Sequence, residues 1–248
     1  MPSCCTRSFR GSRRSSAGKD CSCSLPRWRR ILTFDPSDLV SPQGESRVPR
    51  PKPPTSRDQQ REDTFNRVYE AALSEFRRVG VEKATVSGIC ARAGVAKGTF
   101  FFHFPTKDHV LLARQQQISE AMARRITAEL ADVPDARAFL RRLTAIVLEE
   151  HQAVGDLELV RQINLAIVRQ SGVPQLGVRQ TAFGVCLARQ IRNLQKAGII
   201  RKGVDAARLA DCLRLSFFGF LASPQSSFET SRPQLALLTE LLAESLLA

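Results

Sequence analysis

The run Lys97-Gly98-Thr99-Phe100-Phe101-Phe102-His103-Phe104 concentrates the residue types most able to do chemistry together in this chain. A cation, a glycine and a hydroxyl followed by four phenylalanines suit binding better than catalysis. The cation matches a phosphate or a guanine edge, and the rings match thymine methyls. Catalytic constellations are absent from the sequence. The chain has three histidines. His151 follows Glu149-Glu150 on what reads as a solvated helix face, with no Ser or Cys partner at motif spacing. There is no Gly-rich phosphate loop and no H-E-x-x-H, so no enzyme activity, metal or cofactor is expected. Cys4, Cys5, Cys21 and Cys23 lack a zinc spacing. Cys90, Cys186 and Cys212 stand singly in apolar helical contexts and read as small buried hydrophobes.

The elements around that run are helical. Phe65, Val68, Tyr69, Ala72, Leu73, Phe76 and Val79 form one apolar stripe on a helix of about 20 residues. Gly80 stands where a left-handed stop belongs. Thr85 can cap a second helix whose inner face is Val86, Ile89, Cys90 and Ala93, ended by Gly94. A third short helix spans Lys97 to Phe104. Pro105 stops it, and Thr106 can cap a long fourth helix carrying Val110, Leu111, Leu112, Ile118, Met122, Ile126 and Leu130. Two short helices joined through Gly94 and packed on a longer one make a helix-turn-helix over about 84–104. Three consecutive rings sweep about 200° of helical arc, so one face cannot bury them all. Phe100 and Phe104 are expected inside, with Phe101 and Phe102 exposed as a partner surface; a loose aromatic cluster is the competing reading.

Thr85-Val86, Ile89, Ala93 through Phe104, Thr106-Lys107-Asp108 and Leu111-Leu112 together resemble the DNA-binding domain of TetR-family transcriptional regulators, over about Asp58 to Gln117. The resemblance implies an all-α fold: a three-helix reader with a helix-turn-helix, joined by the long fourth helix to a helical dimerisation and ligand-binding domain. It implies a DNA-binding set of Val86, Ser87, Lys97, Gly98, Thr99, Phe101, Phe102, His103 and Lys107. Within that set His103 and Lys107 would touch the DNA backbone; packing (His103) and a solvated charge (Lys107) are the alternatives. The family usually has Tyr where Phe101 stands, and often Ser or Thr where Ala96 stands.

Composition agrees with such a partner. Lys plus Arg number 37 against 24 Asp plus Glu, a net charge of +13, which favours an anionic partner. The first 60 residues hold 12 Lys/Arg and 5 Asp/Glu. Residues 1–57 are Ser-, Arg- and Pro-rich and read as a disordered basic extension, or as sequence ahead of the natural start. No run of about 18 apolar residues offers a membrane span. The expected organisation is 1–57 extension, 58–117 reader and 118–248 regulatory domain.

Five further helices are expected after residue 135. Their apolar positions begin with Phe139, Leu157, Phe183, Leu209 and Leu235, and the second ends near Gly172-Val173-Pro174. Phe218, Leu237 and Leu247 fall outside the main stripes of the last two helices, which points to a homodimer through those helices. A small-molecule effector cavity is expected in this domain. Phe183, Phe217, Phe218 and Phe220 are candidates to line it, with ordinary core as the alternative, so no ligand residue is assigned. The expected protein is a cytoplasmic, ligand-responsive repressor that binds double-stranded DNA at a near-palindromic operator. The rival is a basic architectural binder without sequence preference.

Overall fold

A computed structural model describes residues 55–169, 181–223 and 227–246. The basic extension up to residue 54, Cys4, Cys5, Cys21, Cys23, the stop at Gly172-Val173-Pro174 and Leu247 lie outside the described residues. Among the described residues the chain is all helical, with nine helices and no strand. They are α1 (Ser56–Val79), α2 (Val86–Ala93), α3 (Lys97–His103), α4 (Lys107–Glu129), α5 (Ala136–Gln152), α6 (Leu157–Arg169), α7 (Ala182–Lys196), α8 (Ala206–Ala222) and α9 (Phe228–Leu246).

α1 starts with a reciprocal cap. Thr55 Oγ1 accepts from the Asp58 N–H, and Asp58 Oδ2 accepts from the Thr55 N–H at 3.1 Å, satisfying two otherwise orphaned donors. The stripe from Phe65 to Phe76 is buried as its spacing requires. Thr85 Oγ1 caps α2 by accepting from Gly88 N–H at 3.0 Å. Gly94, at φ 65° and ψ 40°, supplies the left-handed turn into α3. Gly80 has positive φ but an extended ψ of 155°, so the chain leaves α1 without a left-handed cap. Thr106 differs from expectation as well: it makes no side-chain cap on α4, and its hydroxyl sits 2.8 Å from His109 Nδ1.

α4 packs on α1 and also on α5, α6 and α7. Leu130, at its C-terminal end, receives the Gln190 side-chain amide of α7 on its carbonyl. Ser119 Oγ of α4 accepts the Phe183 N–H of α7 at 2.9 Å. Arg125 of α4 pairs with Glu129 and with Glu149 and Glu150 of α5, and Arg142 joins Glu129 and Glu149. α9 packs on α5, where Arg137 and Arg141 reach Glu240 and Thr144 Oγ1 meets Thr239 Oγ1 at 3.1 Å.

Three sequence expectations fail here. The apolar spacing that begins at Leu235 predicts Leu241 on the inner stripe of α9 with Leu238, Leu242 and Leu246, but Leu241 is exposed; Leu235, Thr239, Ala243 and Leu246 face inward. Cys212 is exposed rather than buried, unlike Cys90 and Cys186. His151 is 3% exposed rather than on a solvated face. It lies four residues after Val147 and eight after Leu143, on the buried stripe of α5.

His151 lines a cavity of about 260 Å³ between α4, α5, α6, α7 and α8. Phe183, Phe217 and Phe218 of the four candidate rings also line it; Phe220 does not.

All three histidines are held below the usual 6.5, His151 and His103 mainly by burial and His109 by burial against the opposing charge of Asp108. For His151 the Arg114 charge acts in the same direction, while Glu150 and the Val147 carbonyl oppose it. The unfolded chain therefore binds more protons than the folded one just below the ordinary imidazole range, and stability must fall with pH there. Glu75, Glu129 and Glu149 are held low by arginines, so their stabilisation is lost only in more acid solution. The urea midpoint is expected to drop between about pH 7.5 and about pH 5.5. A midpoint level across that window would contradict buried neutral imidazoles.

Candidate nucleic-acid interface

The reading surface begins with the contact that sets α2 against α1. Glu75 is a buried carboxylate on α1, bound by Arg78 of its own helix and by Arg92 of α2. The Arg78 guanidinium, chiefly, holds its carboxyl below the usual range. A Cβ on Gly88 would lie 3.1 Å from Glu75 Oε1 and 3.3 Å from Thr85 Oγ1. Glycine at 88 thus admits both the cap and the carboxylate at the start of α2.

α3 then projects from Gly94. Ala96 supplies no side-chain cap, which forgoes about 1 kcal/mol. Phe100 and Phe104 are fully buried, whereas Phe101 is 51% and Phe102 49% exposed, as the 200° arc demands. Phe101 rests edge-on against Phe100 at 5.5 Å. Phe102 rests edge-on against His103 at 5.0 Å and carries the Arg61 guanidinium 5.2 Å above its ring. The exposed rings are therefore held from beneath and from the side. Lys97 and Gly98 are exposed, Thr99 is half-buried, and Ser87 is exposed beside half-buried Val86 at the start of α2. The helix-turn-helix brings these seven residues together. Arg61 escaped the sequence reading; its signal is a cation on the polar side of α1 near the helix start.

His103 and Lys107 are placed differently. His103 is buried, edge-on to Phe65 at 5.8 Å, because it follows the exposed rings around the arc and falls back onto α1. Lys107 turns its ammonium inward, donating to the carbonyls of Val81 at 2.7 Å, Glu82 at 3.2 Å and Ala84 at 2.8 Å. An ammonium has three N–H donors, and all three are used on the α1–α2 loop. A cation at a helix N-terminus opposes the helix dipole; aiming it at three carbonyls relieves that conflict. In this geometry the Lys107 ammonium is spent on that loop.

Residues 68–113 match the family model described as bacterial regulatory proteins, tetR family. An uncharacterised HTH-type transcriptional regulator of Mycobacterium bovis is 27% identical over 159 residues, covering 62% of this chain and 78% of that protein. The helix-turn-helix segment of the chain is thus of the tetR-family type. The protein is a DNA-binding transcriptional regulator, read through a helix-turn-helix. GusR of Salmonella enterica superposes over 75% of this chain and 95% of its own, with a TM-score of 0.54 and 23% identity. FadR of Thermus thermophilus, a tetR-family repressor solved with lauroyl-CoA, covers 71% of this chain and 93% of its own, with a TM-score of 0.53 and 22% identity. Both likenesses concern the fold. No helix among the described residues is long and apolar enough to cross a membrane, and no group of three or more His, Cys, Asp or Glu among them could hold a metal.

Lys107→Ala separates positioning from phosphate contact in this tetR-family head. Losing the charge-assisted bonds to three carbonyls should cost about 1–3 kcal/mol, read as a lower thermal midpoint. DNA binding should weaken alike for all sequences, with its salt slope unchanged. A slope flattened by about 0.9, the value of one lost phosphate contact, with an unaltered midpoint would return Lys107 to the DNA backbone.

Proposed function

We propose that the protein is a ligand-responsive repressor, acting in the cytoplasm as a homodimer on a near-palindromic operator. In this reading residues 58–117 form the reader and 118–248 the regulatory domain. Lys97, Gly98 and Thr99 meet base edges or nearby phosphates, with Val86, Ser87, Phe101 and Phe102 flanking them, while His103 and Lys107 hold the head in shape.

Gly98 carries the DNA part of this reading. Its added Cβ would meet nothing within 4 Å, and its φ lies outside the left-handed region. Nothing inside the chain requires glycine there, and alanine is the better helix former. The close approach that glycine permits is then to something outside the chain, beside Lys97 and two exposed rings. A groove floor fits that description.

The regulatory part rests on the cavity and on how its wall meets the head. α6 contributes Asn164, Ile167 and Val168 to the cavity. Arg169 of the same helix grips Asp108 through two bonds of 3.1 and 3.3 Å, one residue beyond Lys107. A ligand that shifts α6 therefore pulls on the start of α4, which holds the reading loop. Two heads about 34–36 Å apart match one helical turn of DNA. A ligand that favours another separation releases the operator by population shift. Exposed Leu215 on α8 and exposed Leu237 and Leu241 on α9 supply the apolar face for the partner chain.

Two variants test these halves. Gly98→Ala should leave the fold intact, with an equal or higher thermal midpoint, and should lower operator affinity at least about tenfold, the effect of about 1.4 kcal/mol of lost contact. Unchanged operator affinity would place Gly98 off the DNA. Leu237→Glu together with Leu241→Glu should halve the mass seen by light scattering and abolish operator binding. A wild-type chain that is already monomeric would end the dimer reading.

A further inference from the structure

The polar atoms of the cavity specify its ligand more narrowly than its shape does. His151 Nδ1 lies 2.7 Å from the Val147 carbonyl oxygen. A carbonyl only accepts, so Nδ1 carries the hydrogen. Burial disfavours the cationic ring, and a neutral imidazole has one N–H. Nε2 is therefore a bare acceptor. It is buried and has no partner, and Gln115 Oε1 in the same wall is a second buried acceptor with none. An unsatisfied buried acceptor costs about 1–3 kcal/mol, a cost that a bound donor would remove.

We propose that this cavity receives a neutral, largely apolar molecule bearing a hydroxyl, whose O–H is donated to His151 Nε2. This deepens the ligand-responsive reading above and rests on it. The rest of the wall is mostly apolar, with Leu112, Met122, Ile167, Phe183 and Phe217 among it. Burying them against an apolar body supplies the affinity, and the hydroxyl fixes the orientation. An anion at His151 Nε2 fits poorly, because it would face two lone pairs; the one arginine in the wall, Arg214, meets Asp211 at 3.2 Å through one terminal nitrogen, with its Nε buried in the wall. An ammonium fits poorly too, because no Asp or Glu lines the cavity and a buried charge needs a counter-charge. The other polar groups nearby are partly spent: Asn164 Nδ2 donates to the Val160 carbonyl at 2.9 Å, and Ser119 Oγ accepts from Phe183 N–H. At about 260 Å³, the space is near the lower end of ordinary ligand sites, about 300–1,000 Å³.

Four probes of one shape test this on the full-length protein by calorimetric titration: 2-naphthol, 2-methoxynaphthalene, naphthalene and 2-naphthoate. 2-Naphthol should bind about tenfold more tightly than each of the others, the worth of one buried hydrogen bond. In His151→Phe that advantage should vanish. In His151→Gln, which keeps an acceptor, part of it should remain. The wild-type series decides the matter even if a variant fails to fold. Equal binding of 2-naphthol and 2-methoxynaphthalene, tightest binding of 2-naphthoate, or binding of none of the four would each overturn the proposal. Operator affinity measured with saturating 2-naphthol tests the underlying reading separately. If 2-naphthol shows its preference yet leaves the operator bound as before, the ligand-responsive reading fails while the assignment of His151 stands.

Discussion

An ammonium with three donors and a loop with three converging carbonyls meet at Lys107, and the reading head depends on that junction. Val81, Glu82 and Ala84 belong to the turn that leaves α1 and delivers Thr85 to cap α2. Lys107 opens α4, the helix that continues through the regulatory half. One side chain therefore fixes the direction of α2 relative to the longest element shared by both halves. With α2 set, Gly94 and the buried pair Phe100 and Phe104 fix α3. The exposed rings and Lys97 then have one place to be. Four carbons of lysine stem make this reach possible, and an arginine fork would not offer three donors to three separate carbonyls in the same way.

The remaining links between head and body are few, and their strengths differ. Within the reader, Tyr69 donates to Gln117 Oε1 at 2.8 Å between α1 and α4, a neutral bond worth about 1 kcal/mol. Arg169 and Asp108 are bidentate but partly exposed, and exposed pairs are worth about 0–1 kcal/mol. Arg77 approaches the Val154 carbonyl at 3.5 Å, beyond good hydrogen-bond geometry. By contrast, α4 is bound to α5 through the Arg125 and Arg142 network and to α7 through Ser119 and Gln190. The polar ties that cross from head to body are thus individually weaker than those inside each half, beside an apolar core that is continuous between them. Ties of that strength are within reach of an effector of ordinary differential affinity.

Much of this was legible in the sequence where periodicity alone decides the outcome. The stripe of α1, the Thr85 cap, the Gly94 turn and the burial of Phe100 and Phe104 follow from 100° per residue and from backbone conformation. The failures share a different cause. Lys107 was read by its position at a helix start, but a flexible stem lets the charge choose among targets that only the fold assembles. Glu149 and Glu150 suggested a solvated face for His151, although its spacing from Phe139, Leu143 and Val147 lay on the buried stripe; the apolar period was the better guide than the neighbouring charges. In α9 nearly every turn is apolar, so period cannot choose a face. The choice falls to Arg137 and Arg141 reaching Glu240 and to Thr144 meeting Thr239, which turns Leu237 and Leu241 outward.

The unpartnered acceptors in the cavity bear on how such a protein can be both folded and responsive. A fold of this size is stable by about 5–15 kcal/mol, and two bare buried acceptors remove a noticeable part of that. Replacing His151 and Gln115 by apolar residues would relieve the cost and fill the space, as cavity-filling substitutions commonly do. It would also remove the difference between the empty and the occupied state. A ligand shifts an equilibrium only by its differential affinity for the two conformations, so the wall facing it must be better satisfied when the ligand is present than when it is absent. Polar atoms left wanting on α4 and α5, opposite an α6 whose Arg169 holds Asp108, place that difference against the helix whose first residue holds the reading loop.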